Sequence, residues 1–562
     1  MTMNSSEFGN LPDGWAETRL PEIALINPKL TAVLDDELDV SFLPMKAVEA
    51  ISGRADLSEE RRIREVRKGY TCFCNGDVLW AKITPCMENG KAAVVRNLKN
   101  GVGFGSTEFH VLRPLARRVL AEWLFFFLIQ QSVRRDARKN MTGSAGQLRV
   151  PTTYLADLAL PLPSLVEQRA IVAKIEALFS ELDKGVEQLQ TIKQQLKQYR
   201  QAVLKAAFEG KLTAAWRAER QAAGTLSSAD ELLEQIKKER EESYRRRLLE
   251  WKEAVDEWEA GGGTDAGRKR PAKPVRPEQL PPFSHDDLTE LPCQVRGWAC
   301  ERLGNVLHEF FDGPFGTNLK TRDYVESGVL VVRLENIGVQ SYLGNKQSFV
   351  TEGKYQELKK HHVSGGDIIF SSFVADEVRA CVLPDQVHRA INKADCFCLR
   401  PVPSILNVFL CRNFSQRYFY LWLVKHVHGA TRPRVNTTQL REAPVPICST
   451  EEQWQIMREI DSRFSVLDEL ERAADYALNQ TDELRQSILK KAFEGRLLSE
   501  AELAAVRSDP GYEPADELLE RIAIKREFGG QASGSEYSGR RAQPKRQSHR
   551  RGNTADARSE AR

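Results

Sequence analysis

The sequence predicts an α+β fold built twice over, with two β-rich α/β modules joined by two long helices in a pseudo-two-fold repeat. The first observation behind this is a repeat. The stretch "LKAAFEGKL" (204–212) returns as "LKKAFEGRL" (489–497), with seven of nine residues identical at an offset of 285. The second is a set of short β-rich runs bounded by Gly and Pro in each half, such as "GDVLWAKI" and "GVLVVRL". The third is an apolar periodicity of helical type that begins after a Pro-x-Pro in each half.

The repeat keeps its order along the chain. "WAETRL" (15–20) is echoed by "WACERL" (298–303), "GDVLW" (76–80) by "GDIIF" (366–370), and "STEFHVLRP" (106–114) by "KADCFCLRP" (393–401). "RVPTTYL" (149–155) matches "RVNTTQL" (434–440), and "PLP" (161–163) matches "PVP" (444–446). A Glu-Gln pair follows each, Glu167-Gln168 and Glu452-Gln453, and "ADELLEQI" (229–236) returns as "ADELLERI" (515–522). Same order throughout means duplication.

The first long helix places apolar residues at Ile171, Ile175, Leu178, Leu182, Val186, Leu189, Ile192, Leu196, Tyr199 and Val203, spaced about 3.6 apart. The second runs Ile456, Ile460, Phe464, Leu467, Leu470, Ala474, Ala477, Leu484, Ile488. Such narrow stripes suit one partner helix each, and the partner is the other copy. At 1.5 Å per residue the stretch from Ile171 to Phe208 spans ~57 Å, so the helix is a spacer. Gly210 and Gly495 fall where a helix C-cap belongs. The charged helix from Ala229 leads into a Gly/Pro/Lys/Arg-rich stretch that reads as a solvated linker. The expected boundaries are a first module over 11–165, a long helix over 166–225, and a charged helical extension with basic linker over 226–290. A second module over 291–448, a long helix over 449–505, and a helical extension with a disordered basic tail over 506–562 complete them.

Bulk properties narrow the class. The chain has 562 residues, 41% hydrophobic and 28% charged, with a net charge of +3. The last 34 residues hold eight Arg/Lys against three Asp/Glu, a net of +5, so the preceding 528 sum to −2. Binding to nucleic acid would then use local patches. The longest apolar run, "WLFFFLI" (123–129), is too short to span a membrane and reads as a buried helix. The N-terminus lacks an export pattern, and a cytoplasmic location is expected. The ten cysteines form no C-x-x-C; Cys72/Cys74 and Cys396/Cys398 lie in strand-like runs and read as reduced buried thiols.

Motifs of catalysis are missing. There is no G-x-x-x-x-G-K-[ST], no H-E-x-x-H and no G-x-S-x-G, and "GVGFG" (101–105) has the wrong spacing for a dinucleotide loop and reads as a turn. Asn27-Pro28 is followed by Lys29, which breaks the Asn-Pro-Pro-aromatic motif of amino-methyltransferases. His361-His362 follows Lys359-Lys360 and reads as a solvated face. The chain is expected to bind and organise and not to catalyse.

With "LPDGW", "LPLPSLVEQRAIVAKIEALF", "QAVLKAAFEGKLTAAWR" and "QSILKKAFEGRL", the chain resembles the specificity subunits of type I restriction-modification systems. The likeness covers roughly 11–245 and 292–527. It implies two target recognition domains, each reading one half of a bipartite asymmetric DNA sequence, and an antiparallel coiled coil that sets the distance between half-sites. It also implies two methyltransferase subunits that bind S-adenosylmethionine, a separate restriction and translocase subunit, and no cofactor in this chain. The long helices and the two A-D-E-L-L-E segments are expected to dock the methyltransferases. Two other readings stay open from the residues alone: a single-chain restriction-methylation enzyme, and a coiled-coil scaffold with no sequence-specific role on DNA.

Candidate DNA-contacting residues lie in polar loops, where small residues permit close approach and long polar ones reach base edges. They are Gln147 and Arg149 in "TGSAGQLR", Arg432 and Arg434 in "HGATRPR", Asn318, Lys320 and Arg322 in "GTNLKTR", and Lys82, Asn89 and Lys91 after "GDVLW". "RRIREVRK" (61–68) fits either a phosphate-facing surface or an ordinary exposed helix.

Overall fold

The computed structural model describes residues 11–521, apart from 31–32, 116–118, 145, 263–269, 285–286, 289–290, 292–294, 316–317 and 428–432. It divides into two units, Met1–Glu187 with Leu478–Arg562, and Gln188–Ala477. The long helices Leu165–Phe208 and Thr450–Phe493 each begin in one unit and end in the other. Each unit therefore holds one β-rich module, the first half of the helix that follows it, and the second half of the other helix.

Within the first unit, Ala24–Ile26, Phe109–Pro114, Val78–Ala81 and Ala92–Val94 form an antiparallel sheet in that order. A second sheet runs Glu60–Arg62, Asp39–Leu43, Val102–Gly105, Thr71–Cys74, with the middle pair parallel. "GVGFG" is thus mostly a strand and not a turn. Its glycines let a neighbour lie flat: a Cβ at Gly103 would sit 2.2 Å from the Phe73 ring, and one at Gly105 2.4 Å from the Leu43 carbonyl.

The second unit repeats the plan and then departs from it. Leu307–Phe311, Cys396–Pro401, Ile368–Ser371 and Ala380–Val382 form the antiparallel sheet. The other sheet has five strands, ordered Tyr324–Val325, Phe349–Val350, Val329–Val332, Ala390–Asn392, His362–Val363. In both units a two-stranded ribbon ties the start of the module to the strand before the long helix, Ala16–Arg19 with Ala159–Leu162 and Ala299–Arg302 with Pro444–Ile447. The register sets Pro161 opposite Glu17 and Pro446 opposite Cys300, so Pro446 is the counterpart of Pro161. The match of "PLP" to "PVP" is off by two residues.

The repeated phrases are the joints of this frame. Ser164 and Ser449 precede the long helices and accept the N–H of Glu167 (3.1 Å) and Glu452 (3.3 Å). Gln168 accepts the Leu120 N–H at 3.0 Å and donates to the Pro163 carbonyl at 3.0 Å; Gln453 does the same with Leu406 and Cys448, both at 2.9 Å. At the far ends, Gly210 (φ +67°) and Gly495 (φ +68°) turn the chain left-handed, and the next N–H returns to Ala206 and Lys491, both at 2.8 Å. A Cβ at Gly495 would meet Pro12 at 2.3 Å, and one at Gly210 would meet Val295 at 2.8 Å. The phenylalanine of each "FEG" is core: Phe493 packs on Trp123 (4.4 Å between centroids), and Phe208 on Phe409 (5.2 Å). The buried helix Ala121–Leu128 carries that Trp123.

The long helices pack antiparallel. In the second unit Lys193 pairs with Asp475 (2.6 Å), and Arg200, seven residues on, reaches Asp468, seven residues back. In the first unit Arg485 pairs with Asp183. Leu196 is half-buried and Ile192 and Tyr199 are exposed, while the helix ends are buried, as a narrow seam requires.

The A-D-E-L-L-E segments correct one expectation. Leu232 and Ile236 of the helix Ala229–Ala260 are buried in the core of the second unit, and Leu518 is buried in that of the first. Their apolar faces are used within the chain. The described part of the Pro-rich stretch is exposed but held: it runs back along the same helix, with Trp251 Nε1 on the Pro271 carbonyl (3.0 Å), Arg276 on Glu241 (3.0 Å) and Arg240 on Gln279 (2.7 Å).

Candidate nucleic-acid interface

Two of the polar segments in the first unit come together. The loop after Val78–Ala81 and the stretch ending at Arg149 are laced by Thr84 N–H to Leu148 O (3.0 Å) and Val150 N–H to Lys82 O (2.8 Å). The second unit builds the same joint, with Val374 N–H on Pro433 O (3.1 Å) and Val435 N–H on Ser372 O (2.9 Å). Ile83 bridges to Arg149 and Phe373 to Arg434 at corresponding positions. Duplicated strands thus present duplicated loops.

Arg149 and Arg434 occupy the same place and are not free. The Arg149 guanidinium grips Glu108 through two hydrogen bonds, 2.9 and 2.8 Å, and holds that carboxyl below its usual range. Arg434 lies 4.3 Å over the Phe373 ring and makes one longer contact, 3.3 Å, to Asp395. Glu108 and Asp395 are themselves repeat counterparts, the acid of "STEFHVLRP" and of "KADCFCLRP". Both acids stand at the third position of their phrase, and that shared position is the signal that marks them in the sequence.

Other candidates divide. Gln147 is exposed beside Arg149, and its side chain makes no hydrogen bond among the described residues. Lys82 is half-buried close to Glu108, whose carboxyl its charge helps to depress. Asn89 is exposed on the same loop, whereas the Lys91 ammonium is tied to the Met45 carbonyl at 3.0 Å. Asn318, Lys320 and Arg322 are exposed around a short turn, where Asp323 accepts the Lys320 N–H at 2.6 Å. Arg432 lies outside the described residues.

The run "RRIREVRK" is neutralised locally. Arg61 pairs with Glu59 and stacks 3.6 Å from the Phe42 centroid, Arg62 and Arg64 pair with Glu37, and Arg67 with Asp36. His361 and His362 are half-buried, not solvated: their Nδ1 atoms meet the Asp312 carbonyl (2.7 Å) and the Tyr355 hydroxyl (3.2 Å), and burial lowers both pKa values. Burial pushes the Cys72 thiol up to about 12, far from a reactive thiolate. Among the described residues no three His, Cys, Asp or Glu side chains converge as metal ligands, and no helix is long and apolar enough to cross a membrane.

A second duplicated feature is a groove at the end of each long helix. In the first unit it holds about 640 Å³, lined by Gln486, Lys490, Phe493 and Glu494 with Gln130 and Gln131. The second unit's, about 440 Å³, is lined by the counterparts Gln201, Lys205, Phe208 and Glu209 with Gln416 and Arg417.

Comparison with known proteins agrees with this architecture. A family model described as "Type I restriction modification DNA specificity domain" matches residues 12–198. The EcoAI specificity subunit of Escherichia coli is 28% identical over 489 residues, covering 82% of this chain and 79% of that protein. The EcoKI specificity subunit of Escherichia coli K12 is 22% identical across 93% of this chain and 97% of that one. Across most of its length the chain is similar to the type I specificity subunits. A solved structure from work on assembly and conformational transition of the type I R-M system shares the fold, with TM-score 0.57 and 19% identity over 87% of this chain and 100% of that one.

Proposed function

We propose that the chain selects the DNA sequence for a type I restriction-modification complex, with each β-rich module reading one half of a bipartite, asymmetric target. One observation carries this reading: a single frame is built twice, yet the loops and outer sheets mounted on it differ. Double-stranded DNA repeats its backbone about a dyad, and two readers on a duplicated frame match that symmetry while differing in the bases they accept. Gln147, Arg149, Lys82, Asn89 and Lys91 serve one half-site. Asn318, Lys320, Arg322, Arg434 and Arg432 serve the other.

The paired grooves support docking of two copies of one partner, because Gln201/Gln486, Lys205/Lys490 and Glu209/Glu494 offer each copy the same polar contacts over a core phenylalanine. We assign them to two methyltransferase subunits, which would carry S-adenosylmethionine, with a restriction and translocase subunit joining the assembly in the cytoplasm. Methylome sequencing of the host with and without this gene tests the proposal. Loss of one two-part motif with unequal halves is expected. An unchanged methylome in a host whose methyltransferase is active would overturn it.

A further inference from the structure

The second unit has a basic cleft that the duplicated frame does not require. It lies between the helix Ala229–Ala260, the Pro-rich stretch alongside it and the module, and holds about 610 Å³. Arg240, Arg247, Lys360, Arg441 and His308 line it, with Phe310 on its wall. The counterparts of Arg441 and His308 in the first half are Ala156 and Leu25, so the charge was not inherited with the repeat.

These cations are underused by the fold. Arg240 is 6% exposed, and its terminal nitrogens are held by Gln279 Oε1 (2.7 Å) and the Glu278 carbonyl (2.9 Å). Its buried Nε has no acceptor among the described residues, and neither has the buried Nε of Arg247. Arg247, Arg441 and Lys360 form no ion pair among the described residues; Arg441 lies 5.0 Å from the Phe310 ring centroid. Glu278, Glu309 and Glu442 also line it, and Glu309 is bound by Arg400. Burial lowers the pKa of Arg240, against Glu301, and the Arg441 charge lowers it further; burial and the Arg247 charge lower that of His308. Like charges gathered in a half-enclosed space, with N–H donors left over, raise the energy of the empty cleft and favour an anion.

We propose that this cleft binds a phosphate group through Arg240, Arg247 and Arg441, supplied by the DNA backbone or by a phosphorylated small molecule. Arginine forks match phosphate oxygens, and the aromatic wall lowers the local dielectric around them. This site stands apart from base reading, since none of its residues is among the base-contact candidates.

The test uses the full chain purified with the subunits it assembles with. Inorganic pyrophosphate is titrated calorimetrically at constant ionic strength, and binding to a duplex lacking the methylated motif is followed against salt. Saturable pyrophosphate binding is expected, weakened at least about tenfold in Arg247→Gln/Arg441→Gln and largely kept in Arg247→Lys/Arg441→Lys. If the DNA backbone is the source, the Gln variant also loses about one to two units of the log–log salt slope, with the methylated motif unchanged. If a small molecule is the source, pyrophosphate binding weakens and the slope stays. Wild-type protein that takes up no pyrophosphate saturably, or Gln variants that bind it equally, overturns the proposal. Arg441→Gln alone, an exposed change, gives the same reading should the double variant fold poorly.

Discussion

The two halves agree in their frame and part company in their outer sheets. In the first, Asp77 accepts the Cys74 N–H at 2.7 Å and grips Arg113 at 2.7 and 2.8 Å. In the second, Asp367 accepts the Ser364 N–H at 2.9 Å and grips Arg400 at 2.8 and 2.7 Å. The "GD" and "LRP" phrases recur because one carboxylate must cap a turn and pin the neighbouring strand in each sheet. Away from those joints, a four-stranded sheet in one half answers a five-stranded sheet in the other. Residues that hold the frame were kept after duplication, and residues free of that duty drifted. Such drift is what two readers of unlike half-sites need.

The largest effect should come from breaking a frame pair, and the halves should respond unequally. Asp77 is almost fully buried and is the only described acid on Arg113, whereas Arg400 also holds Glu309. Asp77→Ala strands a charge and an N–H together and should cost about 3–4 kcal/mol, against about 2 kcal/mol for Asp367→Ala. Chemical denaturation of the assembled complex measures both. Equal losses would mean that Glu309 gives Arg400 no reserve.

Smaller differences are expected where the long helices start. Trp15 Nε1 donates to Glu167 at 2.8 Å, but the counterpart Trp298 leaves its N–H without a partner among the described residues. Glu452 instead takes Arg217 and the Thr213 hydroxyl (2.7 Å). Glu452→Gln weakens a charged pair and should cost about 2 kcal/mol. Glu167→Gln keeps an acceptor for Trp15 and removes a carboxylate whose pKa burial has raised. A raised folded value favours the protonated fold, so that stability is complete below the ordinary value of 4.5 and is lost as pH climbs through the raised one. The Gln variant should therefore melt at or above wild type near about pH 7.5, with its advantage narrowing toward about pH 5. A thermal melt that falls at neutral pH would show that the Arg507 charge, which opposes burial at Glu167, outweighs it.

How much of this was legible follows from how far each interaction reaches. Helix starts, glycine stops and the duplication depend on residues close in sequence, and the repeat displayed them twice. Arg149 and Arg434 looked like free base readers because their acids stand 41 and 39 residues away, across a sheet. Glycines at 103 and 105 suggested a turn because the Phe73 ring they accommodate belongs to a neighbouring strand. His361-His362 looked solvated beside two lysines, while the groups that bury them come from Asp312 and Tyr355. Local patterns speak for elements; sheet partners decide what a loop side chain is free to do.

At the loops the halves should differ in kind. Arg434, held by one long contact and a ring face, can swing to a base edge, so Arg434→Ala should weaken one half-site by ~1–3 kcal/mol. Arg149 is clamped on two sides, and Gln147 beside it is the freer reader. Gln147→Ala should weaken only the other half-site, while Glu108→Gln, by releasing Arg149, should relax that half-site without touching the first. Methylated motifs from sequencing each variant give the readout. Any single loop change that alters both halves would break the two-reader comparison.

The subtlest change leaves both readers alone and moves only what lies between them. Four residues added to the first long helix alone would shift Lys193 away from Asp475 and Arg200 away from Asp468, though exposed pairs of this kind are worth only ~0–1 kcal/mol each. A matched insertion, four residues after Gln190 and four after Ala477, keeps those pairs on one side and Asp183–Arg485 on the other. It lengthens both helices by ~6 Å and turns the helical face by only about 40°. At ~34 Å per turn of about ten base pairs, that length is worth one to two base pairs. The two half-sites should keep their bases while the unread gap between them grows by that amount, seen directly in the methylated motif. Altered bases with an unchanged gap would mean that the helices do not set the spacing.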